Sequence, residues 1–415
     1  MEWTDPRLES RLFKSYPYPL ALAIFLLQIA LGIILLATFQ VFVPDELGTS
    51  DAWPGYLLGA YGAARFVFET PTGAISDRIE RRLGLLIGFA CMLPAILLML
   101  FVQDSVAYLL FASFLGLGTA FIWPATYAIS ADLYPPDRRG KVIGFLNLAQ
   151  LLGLGVGTMG GAFLVQYLSP TQFLAALGAI SGAFVAALIG VPNYRGGRTF
   201  GRIQSERRPS VWSLMSFQLA VLSALILATS VAMSMLIPAI RPLGEQELGI
   251  SFAMLIVALI PAIVVGALLY VPAGHLSDRF GRTGPFLGGQ IMVVVGLVVI
   301  SSAGWLPVAM LGAIILVTGN VVSVPAWNAA IMDLAPVTHR GTLIGLSVAL
   351  SGLGLAIGPA LGGLVLEAAN PPAVFNAAAI LSALAGAGIF AYGRAFAQER
   401  TVALDVAAAE RISSR

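Results

Sequence analysis

The sequence predicts an all-α membrane protein: twelve transmembrane helices in two pseudo-symmetric six-helix bundles. Three observations predict it. Hydrophobic residues fill 58% of the 415 positions and charged residues only 11%, against about 25% charged in soluble domains. Apolar runs of about 20 residues, the length that spans a bilayer, follow one another along the chain. A block of sequence then repeats at an offset of 201 residues.

The runs, broken by Pro, Gly and charge, place helices at about 19–43, 53–75, 83–102, 106–131, 141–167 and 171–191. A second set lies at about 212–240, 250–275, 284–303, 306–332, 341–366 and 373–395. Residues 1–16 mix Asp5, Arg7, Glu9, Arg11 and Lys14 without a short apolar core, so they read as a retained tail and not as a signal peptide. Between the sixth and seventh runs, a polar stretch carries Arg195, Arg198, Arg202, Arg207 and Arg208. This gives an amino-terminal bundle over 1–192, a basic linker over 193–210 and a carboxyl-terminal bundle over 211–415.

Lys and Arg beside membrane helices stay on the cytoplasmic side. Of the 23 basic residues, 21 fall in the two tails, the linker and the 2–3, 4–5, 8–9 and 10–11 loops. The opposite loops carry Asp45, Glu46, Asp51, Asp104, Glu245 and Glu247. Both termini are therefore expected in the cytoplasm, with the chain crossing the inner (plasma) membrane of a bacterium. The exceptions are Arg65 and Arg241. A net charge of +2 gives no reason to expect a nucleic-acid partner. The lone Cys91 lies in an apolar run and cannot form a disulfide within the chain.

The repeat sets Pro71-Thr-Gly73-Ala-Ile-Ser-Asp77-Arg78 against Pro272-Ala-Gly274-His-Leu-Ser-Asp278-Arg279. The same register pairs Pro124 with Pro325, Asp132 with Asp333, Arg139-Gly140 with Arg340-Gly341, and Gly157 with Gly358. A constant register over about four helices points to duplication, and duplicated bundles commonly hold a transport site between them.

Gly73-x-x-x-Asp77-Arg78-x-x-Arg81-Arg82 and Gly274-x-x-x-Asp278-Arg279-x-Gly281-Arg282 resemble the loop signatures of the major facilitator superfamily, and the likeness covers essentially the whole chain. Glu80 stands where that family usually has Gly, which puts the turn geometry there in question. The resemblance implies a gate: Asp77 at the amino end of helix 11, Arg81 paired with Asp132, and Arg282 with Asp333, alongside Arg78, Arg279, Gly73 and Gly274. Plain anchoring by basic residues is the competing account for the loop arginines. Gly358-Pro359 resembles the family's antiporter signature, which normally lies in helix 5, where this chain has Thr158. The glycines of helices 5 and 11 serve either close packing or a bend.

Tyr61, Arg65 and Glu69 share one face of helix 2 at i, i+4 and i+8. Their repeat counterparts are Ala262, Gly266 and Tyr270, so the charged stripe belongs to the first half alone. An ionisable group inside the bilayer costs about 3 kcal/mol on insertion scales and normally marks a transport path. Glu69 can carry a proton, Arg65 can hold an anionic part of a substrate, or the two form a structural ion pair whose arginine snorkels. The family's drug–proton exchangers have an Arg in helix 4; the matching position here is Ala112. Family architecture further implies Gln28, Trp123, Tyr127, Trp327 and Asn328, with Asn147 and Gln150 from helix 5, as linings of the central path.

These features lead to an expected secondary transporter of small molecules, monomeric in the lipid bilayer, without cofactor or metal and driven by a proton gradient. Efflux of amphipathic compounds is the first reading, and a carrier of polar metabolites the second. A transporter-like sensor or a lipid flippase is the reading from a different class. No catalytic motif points to an enzyme.

Overall fold

The structure, a computed structural model, describes residues 17–133, 136–191, 217–280, 283–334 and 340–391. The amino-terminal tail, the basic linker, Arg282 and the carboxyl tail lie outside them. The described residues are helical apart from the short turns between helices, and eleven helices among them are long and apolar enough to cross a membrane. They are α1 (Tyr18–Leu47), α3 (Arg81–Met99), α4 (Ser105–Leu133), α5 (Pro136–Leu168) and α6 (Thr171–Gly190), then α7 to α12. A further long helix, α2 (Trp53–Arg78), has 26 residues and carries Arg65 and Glu69. The second half comprises α7 (Leu219–Glu247), α8 (Phe252–Ala258 and Ile260–Phe280), α9 (Thr283–Ser301), α10 (Leu306–Leu334), α11 (Arg340–Ala368) and α12 (Pro371–Ala391). The protein is a multi-pass, all-α membrane protein.

The duplication persists in the geometry. Helix α4 and helix α10 each have 29 residues, and both of their ends are displaced by 201. A Cβ on Gly88 would lie 2.7 Å from the carbonyl oxygen of Gly118, so α3 and α4 touch backbone to backbone. Gly289 and Gly319, their counterparts, bring α9 and α10 together in the same way, at 2.6 Å. The two residues with positive φ among those described are also counterparts: Gly48 at +63° and Gly249 at +65°. Each lies in the left-handed region that favours glycine. Glu80 needs no such freedom. Its φ of −67° and ψ of 134° are extended, so the short turn between α2 and α3 accepts glutamate without strain.

The chain forms two compact units. The first joins Met1–Arg208 with Ser234–Val257 and Leu355–Asn370, and the second joins Pro209–Met233, Ala258–Gly354 and Pro371–Arg415. Within the first unit, Gly153, Gly157 and Gly161 of α5 lie against Phe25, Ile29 and Ile33 of α1, a matched i, i+4, i+8 register. Gly155 and Gly160 face open space. Thr158, which stands where antiporter relatives have Pro, donates its hydroxyl to Leu154 O at 2.8 Å, and α5 runs 33 residues without a proline break. Also in this unit, Gly55, Gly59 and Gly62 of α2 pack on the segment from Leu355 to Gly363 of α11.

Two helices are irregular at matching places. Helix α1 widens into a π-helical stretch at Gly32–Thr38, where the Thr38 hydroxyl donates to Ile33 O at 2.8 Å. In α7 the regular helix ends at Ser234 and resumes through a 3-10 turn at Ile237–Ala239, where Pro238 removes a backbone donor.

Candidate functional site

Arg65 lies near the middle of α2. It is 12 residues from Trp53 and 13 from Arg78, or about 18 and 20 Å from the two ends at helical rise. It therefore sits far from either end of the helix, three residues past Gly62, which packs on Leu355 and Ala356 of α11. Its Nε is 3.7 Å from Glu69 Oε2, longer than a hydrogen bond, and makes no hydrogen bond among the described residues. Both side chains are about one-fifth exposed. Tyr61, buried at 4% exposure, lies one turn before Arg65, and Tyr127 of α4 is within electrostatic reach of both Arg65 and Glu69.

Packing of α2 on α4 sets this arrangement. A Cβ on Gly116 would meet Ala64 and the Arg65 nitrogen at 3.0 Å, so only glycine lets the helices approach this closely. Pro124 has no N–H for the carbonyl of Ala120, and the Thr72 hydroxyl donates to that carbonyl at 2.6 Å. Trp123, buried, stacks on Tyr127 with ring centroids 5.7 Å apart and planes 30° apart. Tyr127 itself is 40% exposed. The result is a loosely paired arginine and carboxylate beside an accessible aromatic face.

Of the other expected path residues, Gln28 is buried against Gly153, Gln150 is half-buried and Asn147 is exposed. Ala112 is fully buried in the apolar core. Arg81 is buried at the start of α3. The side chains of Asp77, Arg78, Asp132, Asp278, Arg279, Trp327, Asn328 and Asp333, and the surroundings of Gly73 and Gly274, lie outside the described residues, as does Arg282. Helix α2 continues through Asp77 to Arg78 before turning at Ile79 and Glu80.

Sequence reasoning set Arg241 aside as an exception but gave it no role. It lies in a polar cluster at the end of the first unit that carries the acidic loops. Arg241 Nη2 donates to Asp45 Oδ1 at 2.6 Å, Nε to Glu245 Oε1 at 2.9 Å and Nη1 to Gln40 O at 2.9 Å. Gln40 O is available because Pro44, four residues on, has no N–H to give it. Gln40 Nε2 donates in return to Ile237 O at 3.1 Å. Phe42, packed edge-on to Phe173 and stacked on Tyr108, fixes this stretch of α1. Two signals for the cluster were present in the sequence: Pro44 at i+4 from Gln40, and the offset of 201 that makes Gln40 and Arg241 counterparts.

A family profile described as Major Facilitator Superfamily matches residues 20–268 and, again, 222–410. The chain belongs to the major facilitator superfamily. Members of this superfamily are transporters, and their fold rather than an enzyme's is what the helices form. An uncharacterized MFS-type transporter of Methanocaldococcus jannaschii is 23% identical over 376 residues, covering 86% of this chain and 93% of the relative. Multidrug resistance protein MdtH of Salmonella paratyphi B is 25% identical over 324 residues, 77% of each chain. Among solved structures, a bacterial homolog of the human lysosomal transporter Spinster, in an inward-facing and unoccupied conformation, superposes with a TM-score of 0.78. It is 18% identical over 95% of this chain and 98% of that one.

Proposed function

We propose that the protein is a secondary active transporter that exports small amphipathic compounds in exchange for protons, with Glu69 as the proton carrier and Arg65 as its switchable partner. The observation that carries this reading is the 3.7 Å separation of Arg65 and Glu69 halfway along a membrane helix. A pair kept only for stability closes into direct hydrogen bonds, because unsatisfied charge is costly in hydrocarbon. A pair left loose can part when Glu69 takes a proton. The stacked Trp123 and Tyr127 offer the neighbouring face for an apolar ring. Relatives named multidrug resistance protein support export.

In this reading the halves over 1–192 and 211–415, joined by the linker over 193–210, rock about a midplane site as a monomer in the inner membrane. The linker, both tails and the loop arginines face the cytoplasm. Asp77, with Arg78, Arg81 and Asp132, closes the cytoplasmic side, assisted by Asp278, Arg279, Arg282 and Asp333. Gly73 and Gly274 shape the two signatures, while Gln28, Asn147, Gln150, Trp327 and Asn328 line the path.

The buried Ala112, uncharged where drug–proton exchangers have Arg, favours a second reading: a carrier of polar metabolites whose anionic group Arg65 holds. Flux of a compound panel into proteoliposomes, with and without an imposed proton gradient, separates the two. Export predicts gradient-driven movement of amphipathic compounds. Movement confined to small polar anions selects the second reading, and flux indifferent to the gradient contradicts proton coupling.

A further inference from the structure

A buried arginine near the acidic loops needs a reason, since basic residues otherwise gather at the opposite end and burial of an unpaired guanidinium is costly. Arg241 is 7% exposed. It satisfies its charge mainly on three acceptors drawn from two helices, Asp45 and Gln40 O of α1 and Glu245 of its own α7, with a longer contact of 3.5 Å to Val41 O. We propose that Arg241 is a latch that ties α1 to α7 at the acidic-loop end and that must release for this end to open. The proposal rests on the alternating-access reading above and adds a conformational residue that the superfamily signatures do not include.

Three features make it a latch and not a permanent tie. Its carboxylates are accessible, with the Asp45 side chain 50% and the Glu245 side chain 38% exposed. Both line a cavity of about 250 Å³ together with Glu46 and Gln166, so water can hydrate them when the arginine withdraws. The third acceptor, Gln40 O, is free only because Pro44 interrupts the helical hydrogen bonds, so releasing it breaks no α-helical bond. Finally, the π-helical stretch of α1 and the 3-10 turn of α7 lie immediately before Gln40 and Arg241, and each supplies a place for its helix to bend.

The repeat explains why the latch is one-sided. Gln40 occupies the same place in the first half that Arg241 occupies in the second, and each donates to a backbone carbonyl of the other's helix. The neutral amide makes one such bond to α7. The guanidinium adds two charge-assisted bonds, which are the stronger kind. Other links at this end, Gln246 to Asp51 and Tyr56 to Glu367, are exposed and single.

Spin labels at Ser50→Cys and Glu247→Cys, in a Cys91→Ser background, report the separation of the two loops in lipid nanodiscs. Arg241→Gln is expected to raise the ratio of long to short distances about tenfold, the scale of one lost charge-assisted bond. Asp45→Asn combined with Glu245→Gln, which alters only accessible side chains, is expected to move the ratio the same way and carries the test if Arg241→Gln folds poorly. Arg241→Lys is expected to restore part of the short population. Two populations in the parent that neither variant shifts overturn the latch alone. A parent with one distance under every gradient, unmoved by both variants, overturns the latch and counts against alternating access as well.

Discussion

Arg65 and Arg241 are the two arginines outside the basic ends of this transporter, and they are held in opposite ways. Arg241 reaches Asp45, Glu245 and Gln40 O at 2.6 to 2.9 Å. Arg65, deeper along its helix, has one carboxylate at 3.7 Å and an Nε without a hydrogen bond among the described residues. Desolvation penalises both; at Arg241 it is offset by two carboxylates in direct hydrogen-bond contact, and at Arg65 by Tyr61 and by Glu69 at the longer distance. Arg241 ties two helices to each other, whereas the looser setting of Arg65 is what the proposed proton exchange at Glu69 uses.

The comparison can be broken most directly by removing each arginine. Arg65→Leu is expected to bring compound flux in proteoliposomes down to that of protein-free vesicles, while the purified protein stays folded and loses less stability than Arg241→Leu, because the Glu69 left behind is neutralised by taking up a proton. Arg241→Leu is expected to reverse the emphasis. It strands two carboxylates and a carbonyl, and thermal unfolding in detergent should show a loss of about 2 kcal/mol. Equal destabilisation by the two changes would erase the distinction.

A smaller effect sharpens the account of the scaffold that presents Asp45 and Gln40. Gly157→Ala puts a Cβ 2.7 Å from the Ile29 Cα, where backbone must move, and should cost about 1–2 kcal/mol in the same assay. Gly155→Ala, facing open space two residues away, should not destabilise. The smallest expected effect is that of Tyr56→Phe, which removes an exposed 2.9 Å hydrogen bond to Glu367 and should cost about 0.5 kcal/mol.

The helices were legible because bilayer-length apolar runs and the offset of 201 are properties of linear sequence. Their ends were less so. Helix α1 was expected to stop near 43 but continues through Pro44 to Leu47, and α2 and α8 continue past 75 and 275 to Arg78 and Phe280. Hydropathy ends a helix where polarity begins, whereas backbone hydrogen bonding continues into the interface. The break after Ser234 in α7 escaped because the residues around Pro238 are as apolar as the rest of the run.

The stripe of Tyr61, Arg65 and Glu69 followed from spacing alone, since i and i+4 positions share a helix face. Tyr127 beside that stripe depends on which face of α4 meets α2, and Gly116 decides this through a contact that no one-helix pattern reveals. The Arg241 cluster was hidden for a different reason. Pro44 marks the open carbonyl of Gln40 in the sequence, but the donor that fills it comes from a helix about 200 residues away, and nothing local to either segment shows that the two meet.

Proton-driven export by this protein requires that the loose pair in α2 carry the proton. The direct measurement is compound flux in proteoliposomes under an imposed proton gradient, comparing the parent chain with Glu69→Gln. The account predicts that the variant loses gradient-driven flux yet still exchanges labelled for unlabelled compound across vesicles without a gradient. Gradient-driven flux at the parent rate in Glu69→Gln would contradict it.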